Sequence, residues 1–160
     1  MWAFGLATAV LAVDQATKLL VQATMVQGQS IPVAGWLLRI TYIHNPSAAF
    51  GLTLGSVNFY IVFSLVASVV VSWYIVRLPR GEYWPRIALG LVLAGALGNV
   101  LDRIRIGEVV DFIQIGLSER LVWPIFNVAD MGVSVGVTLL LLYFLVAGEP
   151  EPLRTAGTDD

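Results

Sequence analysis

The sequence predicts an all-α membrane protein of four transmembrane helices, with a small extracytoplasmic β element and a surface segment between the first two helices. Three observations predict it. The 160 residues are 58% apolar and 12% charged, against roughly 45–50% and about 25% in a soluble domain. So few charges do not cover a water-soluble globule, and the composition excludes disorder, collagen and coiled coil. Four windows, about 2–24, 57–76, 84–106 and 127–147, each supply the about 20 mostly apolar residues that cross roughly 30 Å of hydrocarbon. The connections on one side of these windows alternate apolar and polar residues with period two, the mark of a strand. A net charge of −2 with no basic block offers nothing to nucleic acid. The absence of cysteine removes disulfides, a thiol nucleophile and zinc-finger ligands.

Each element has its own signal. The first window is interrupted by Asp14 and Lys18. It lacks a basic n-region, and the two charges follow where a cleavage site would lie, so it reads as a retained helix and not a secretory signal. The second window is uncharged. The short link 77–86 holds Arg77, Arg80 and Arg86 against Glu82, flanked by Trp73, Tyr74, Tyr83 and Trp84. Short Arg-rich loops stay cytoplasmic, and aromatic rings collect at the interface. Both termini are therefore expected inside and the two longer connections outside. In the first outer connection Trp36, Leu38, Ile40 and Tyr42 alternate with Leu37, Arg39, Thr41 and Ile43, predicting a strand with one apolar face. In the second, 109–113 is also strand-like. Residues 1–148 form one domain, and the Pro, Glu, Gly and Asp of 149–160 predict a disordered cytoplasmic tail.

This topology gathers the polar residues at one end. At about 1.5 Å per residue, Asp14 and Lys18 lie about 18 and 24 Å above the cytoplasmic end of the first helix. Asn99 and Asp102 lie about 20 and 24 Å above Arg86. Asn127 and Asp130 begin the descending fourth helix. Only 87–101 separates Arg86 from Asp102, about 22 Å of helix and too short to span. Asp102 and Arg103 must then enter the membrane or a protein-lined cavity, where ionisable groups mark function and need partners. Asp14 and Lys18 are an i,i+4 pair in the favourable order. The stripes Ala94–Gly98–Asp102 and Gly95–Asn99 permit close helix approach.

Two acids carry the chemical reading. Asp111, among Val109, Val110, Phe112 and Ile113, is unusually placed for a solvated carboxylate, and desolvation raises its pKa. Asp130 sits at N3 of a helix that Asn127 caps, which is sufficient reason for an acid by itself. Beside Asp111 it gains a second role: of two carboxylates in a poorly solvated site one keeps a proton, and the pair activates water and protonates a departing amine. Asp14–Lys18 and Asp102–Arg103 read as structural support. Gly132-Val133-Ser134-Val135-Gly136 matches the G-x-S-x-G elbow, but inside a transmembrane helix it reads as small-residue packing. His44, the only histidine, has no ligand-spaced partners, so no metal is expected. Two other readings stand beside the acid pair: a small proton-coupled transporter or channel using the intramembrane acids, and a Ser47–Lys18 hydrolase.

Five blocks then resemble one family, the bacterial lipoprotein signal peptidases (signal peptidase II). They are Asp14-Gln15-Ala16-Thr17-Lys18, Asn45-Pro46-Ser47-Ala48-Ala49-Phe50-Gly51, the run from Ala94 to Arg103, Gly107-Glu108-Val109-Val110-Asp111-Phe112, and Phe126-Asn127-Val128-Ala129-Asp130. Ser47 and Ala94 stand where the family usually has glycine. The resemblance implies a metal- and cofactor-free aspartyl endopeptidase of the bacterial inner membrane. Its substrate would be diacylglyceryl-modified prolipoproteins, cleaved before the lipidated cysteine, and globomycin-type cyclic peptides would inhibit it. Asp111 and Asp130 take the family's catalytic positions. Asp14, Lys18, Asn45, Asn99, Arg103, Asn127 and Ala129 match positions that line or brace the site. Nothing in the resemblance implies an oligomer.

Overall fold

The computed structural model describes residues 2–46, 56–116, 118 and 121–147. Four helices, α1 (Trp2–Thr24), α2 (Val57–Arg77), α3 (Tyr83–Ile106) and α4 (Val128–Ala147), alternate with strands β1 (Ser30–Ala34), β2 (Leu38–Asn45) and β3 (Val109–Ile115). All four helices are long and apolar enough to cross a membrane. The expected element of 36–43 is β2, shifted by two residues. Trp36 and Leu37 instead close a turn in which Leu37 N–H donates to the Ala34 carbonyl at 3.0 Å, with Gly35 in the left-handed region at φ 56°. The strand-like 109–113 extends to Ile115. Ser47, the residues of its block through Gly51, and the tail 148–160 lie outside the described residues.

α3 is the central helix, packing against α1, α2 and α4. Lipid offers no hydrophobic drive between helices, so close backbone contact has to supply the attraction. The small residues provide it. A Cβ on Gly95 would strike the Ala129 carbonyl and lie 2.6 Å from Val133 Cγ2, and one on Gly136 would lie 2.6 Å from the Ala88 carbonyl. Gly132 likewise faces the Leu91 carbonyl, so the G-x-S-x-G stretch is indeed helix packing. Val62, Phe63, Val66, Val69 and Val70 of α2 stay exposed, as a lipid-facing surface does.

The three strands form one antiparallel sheet in the order β1-β2-β3. Tyr42, Val110 and Phe112 from the sheet and Val21 from α1 make a core beneath it. At the far end Ala3, Ala7, Ile75, Leu89, Leu93 and Ala94 make a second core. There Arg86 donates to the carbonyls of Ile75, Leu78 and Pro79, satisfying the orphan acceptors at the C-terminus of α2. Gly107 ends α3 in the left-handed conformation, φ 78°, with its N–H on the Arg103 carbonyl. That reversal turns the chain directly into β3.

Candidate active site

The polar residues of three helices and the sheet meet at the sheet end of the bundle. Lys18 is fully buried, and its three donors are all used. Nζ lies 2.9 Å from Asp14 Oδ2, 2.8 Å from Asp102 Oδ2 and 3.1 Å from Asn99 Oδ1. A buried ammonium with every proton placed is a structural cation. It has none left for a serine, which removes the Ser47–Lys18 reading. Asp102 also accepts the Val110 N–H at 3.2 Å, fixing the start of β3 to α3. Asp14 reaches further: Oδ1 accepts the Ala129 N–H at 2.8 Å. An acid of α1 thereby caps the N-terminus of α4, where orphan donors and the helix dipole favour a negative charge. Gly98 makes room for it, since a Cβ there would sit 2.5 Å from Asp14 Oδ2.

Above this layer lie the two acids. Asn127 caps α4, with Oδ1 accepting the Asp130 N–H at 2.9 Å, while Asp130 Oδ2 accepts the Asn127 N–H at 3.2 Å. This reciprocal pair is the capping box that the spacing predicts. The same Asn127 side chain turns its amide on Asp111: Nδ2 is 2.7 Å from Oδ1 and 3.3 Å from the Val110 carbonyl. Capping and site-building therefore share one residue. Asn45 Nδ2 donates to the other Asp111 oxygen at 2.8 Å. Asn99 Nδ2 donates to Asp130 Oδ1 at 2.8 Å, and its Oδ1 accepts from Asn127 at 3.2 Å. Each carboxylate oxygen of both acids thus accepts a defined hydrogen bond, which leaves further lone pairs for a water or a shared proton. Arg103 donates to the Asn99 carbonyl at 3.3 Å, stacks 5.3 Å over the Tyr60 ring, and places its charge within reach of Asp111 and Asp130.

Asp111 is 1% exposed. Its pKa is pushed up to about 6, first by burial, with the Asp130 charge adding to the rise; hydrogen bonds from Asn45 and Asn127 and the Lys18 charge oppose it.

The structure thus brings together all nine residues singled out in the sequence: Asp14, Lys18, Asn45, Asn99, Arg103, Asp111, Asn127, Ala129 and Asp130. Two more belong with them. Asp102, already read as structural support, is the second counterion of Lys18. Gln15 donates to Asp14, to Asp102 and to the Gly98 carbonyl. Its signal was an amide inside an apolar span. Among the described residues no three His, Cys, Asp or Glu side chains are placed to hold a metal.

Fold and site together define a multi-pass membrane enzyme of the aspartic peptidase class. The family profile of signal peptidase (SPase) II matches residues 6–146. The lipoprotein signal peptidase of Moorella thermoacetica is 38% identical over 145 residues, covering 90% of this chain and 93% of its own. That of Geobacter metallireducens is 42% identical over 144 residues, covering 87% and 88%. A bacterial membrane enzyme of solved structure, 31% identical, superposes with a TM-score of 0.83 over 95% of this chain and 94% of its own. The chain belongs to the signal peptidase II family.

Proposed function

We propose that Asp111 and Asp130 are the catalytic pair with which this peptidase removes signal peptides from prolipoproteins, cutting before a diacylglyceryl-modified cysteine. One observation carries the reading: the Asn127 side chain joins the Asp111 carboxylate to the first turn of α4, where Asp130 sits. Two acids from distant parts of the chain are held against one linker at the end of the bundle. In such a site one acid stays protonated and the other ionised. The ionised one takes a proton from water as the oxygen attacks the scissile carbonyl carbon. The protonated one gives its proton to the departing nitrogen as the C–N bond breaks, and the pair ends with its single proton exchanged between partners. Lys18, Asp14 and Asp102 hold α1, α3 and α4 in register beneath.

The location suits a substrate tethered by lipid. The signal peptide is an apolar helix that enters sideways from the bilayer. Acyl chains contribute about 0.8 kcal/mol per buried methylene, which keeps the scissile bond in the membrane plane and orients it. The Arg-rich loop 77–86 supports an orientation with both termini in the cytoplasm and the site under the outer leaflet of a bacterial inner membrane. Globomycin-type cyclic peptides, as carried by the family resemblance, compete for the same cleft.

Asp111→Asn and Asp130→Asn are each expected to abolish cleavage of a lipidated precursor by the purified protein while leaving its detergent gel-filtration profile intact. Full turnover in either variant overturns the assignment. The transporter reading predicts proton flux in liposomes instead. The described polar residues form no path through the half of the bundle around Ala7, Leu89 and Leu93, where the core is apolar.

A further inference from the structure

The geometry points to Tyr42, His44 and Glu108 as a positioning chain that holds the end of β2 so that Asn45 donates to Asp111. This inference rests on Asp111 being catalytic. Side chains alternate faces along a strand, so Tyr42 and His44 share one face of β2 while Ile43 and Asn45 share the other. On the second face Ile43 is the cross-strand partner of Asp111, and Asn45 is its diagonal neighbour. On the first face His44 is the partner of Val110, and Glu108 is the diagonal neighbour. There Tyr42 Oη lies 2.7 Å from His44 Nε2, and His44 Nδ1 lies 3.1 Å from Glu108 Oε2. The His44–Glu108 diagonal thus stands back to back with the Asn45–Asp111 diagonal, across the same two strands.

This stretch follows an irregularity in the ladder and pairs with β3 again at Ile43, His44 and Asn45. The β2–β3 register shifts between Ile40 and Ile43. On the other side, backbone bonds from 28–30 reach Tyr42. Past a bulge, cross-strand side-chain contacts act beside the resumed ladder in fixing the register. Tyr42 is anchored in the core with 7% exposure, and its ring meets the His44 ring edge-on at 5.4 Å. The imidazole is therefore held at both nitrogens. His44 serves here as a strut between β2 and the beginning of β3, and the solitary histidine of the sequence acquires a use without a metal or a nucleophile.

The chain is tested with Glu108→Ala, His44→Ala and Glu108→Gln in the purified protein, using a lipidated precursor peptide. Glu108 is partly exposed, so its replacement leaves the fold intact. Glu108→Ala and His44→Ala are expected to lower kcat about tenfold, the scale of one charge-assisted hydrogen bond, with KM within about twofold. Glu108→Gln keeps an acceptor for Nδ1–H and restores most of the rate. Asp111 faces Lys18 of α1, Arg103 of α3 and Asp130 of α4. None of these is altered, so loss of the Asn45 bond moves the alkaline limb of the pH profile upward. Asn45→Ala reproduces that shift, and adding Glu108→Ala to it produces no further loss. Unchanged kcat in both alanine variants overturns the chain, as does a loss that multiplies with that of Asn45→Ala while the limb stays put. An inactive Asp111→Asn control beside either result isolates the failure to this chain, whereas an active one brings down the catalytic assignment itself.

Discussion

Asp111 ionises against its surroundings, and that has a thermodynamic consequence separate from catalysis. Burial lifts its folded carboxyl to about 6 against 3.8 for the ordinary group. Between those values the native state holds more protons than the unfolded one, so stability falls as pH rises from about 4 to 6 and stays reduced above. Asp111→Asn keeps the shape without the charge. It is expected to stabilise the protein at pH 7 by up to about 3 kcal/mol and by little at pH 4, read as thermal unfolding in detergent at both values. An equal shift at both contradicts the burial account. For the wild type the proposed pair, working with one proton, predicts a bell-shaped kcat/KM. Its alkaline limb lies at or above about pH 6, and a flat profile from pH 5 to 8 argues against a coupled pair. At this scale the acids were legible because each stands among apolar neighbours or at a helix start. Gln15 was legible only as an amide inside an apolar span, since nothing in the sequence says that it meets Asp102.

Helices were the legible elements because their apolar runs match the bilayer thickness. β1 was not: five residues with Pro32 inside and a mostly exposed surface are too short and too broken to read as a strand. Its place at the sheet edge is what tolerates a proline. The pairing of α3 with α4 was legible as a stripe of small residues, and the structure gives it a quantitative meaning. The Gly95 Cα faces the carbonyl of Ala129, whose N–H is the partner of Asp14. Gly95→Ala must push α4 outward, and overpacking of this kind costs about 1–3 kcal/mol. Since the displaced turn carries Asp130, at least a tenfold loss of kcat is expected with it. Gly5 of α1 has nothing within 4 Å of its would-be Cβ. Gly5→Ala is expected to be neutral or to raise stability by about 0.5–1 kcal/mol, with full activity. Similar effects of the two substitutions on unfolding and turnover contradict the close-approach account.

Across the whole molecule the chemistry is polar along the bundle axis. The sheet, the Lys18 layer and the two acids occupy one end, and Arg77, Arg80 and Arg86 the other. Helix rise alone makes that convergence legible. The contact between Asp14 and the Ala129 N–H, 115 residues apart, is a property of packing that no local pattern contains. The proposed sidedness rests on charge: short loops rich in arginine are retained in the cytoplasm, and with the loop 77–86 inside, the sheet end is expected outside, on the side of the proposed lipid-tethered substrate. The chain has no cysteine, so single-cysteine variants at the exposed positions Gln27 and Arg80 report sidedness without background. A membrane-impermeant maleimide added to intact spheroplasts is expected to label Gln27→Cys at once, and Arg80→Cys only after permeabilisation. The reverse pattern would place the acids in the cytoplasmic leaflet, away from the precursor's lipidated cysteine, and the orientation argued from the arginines would fall with it.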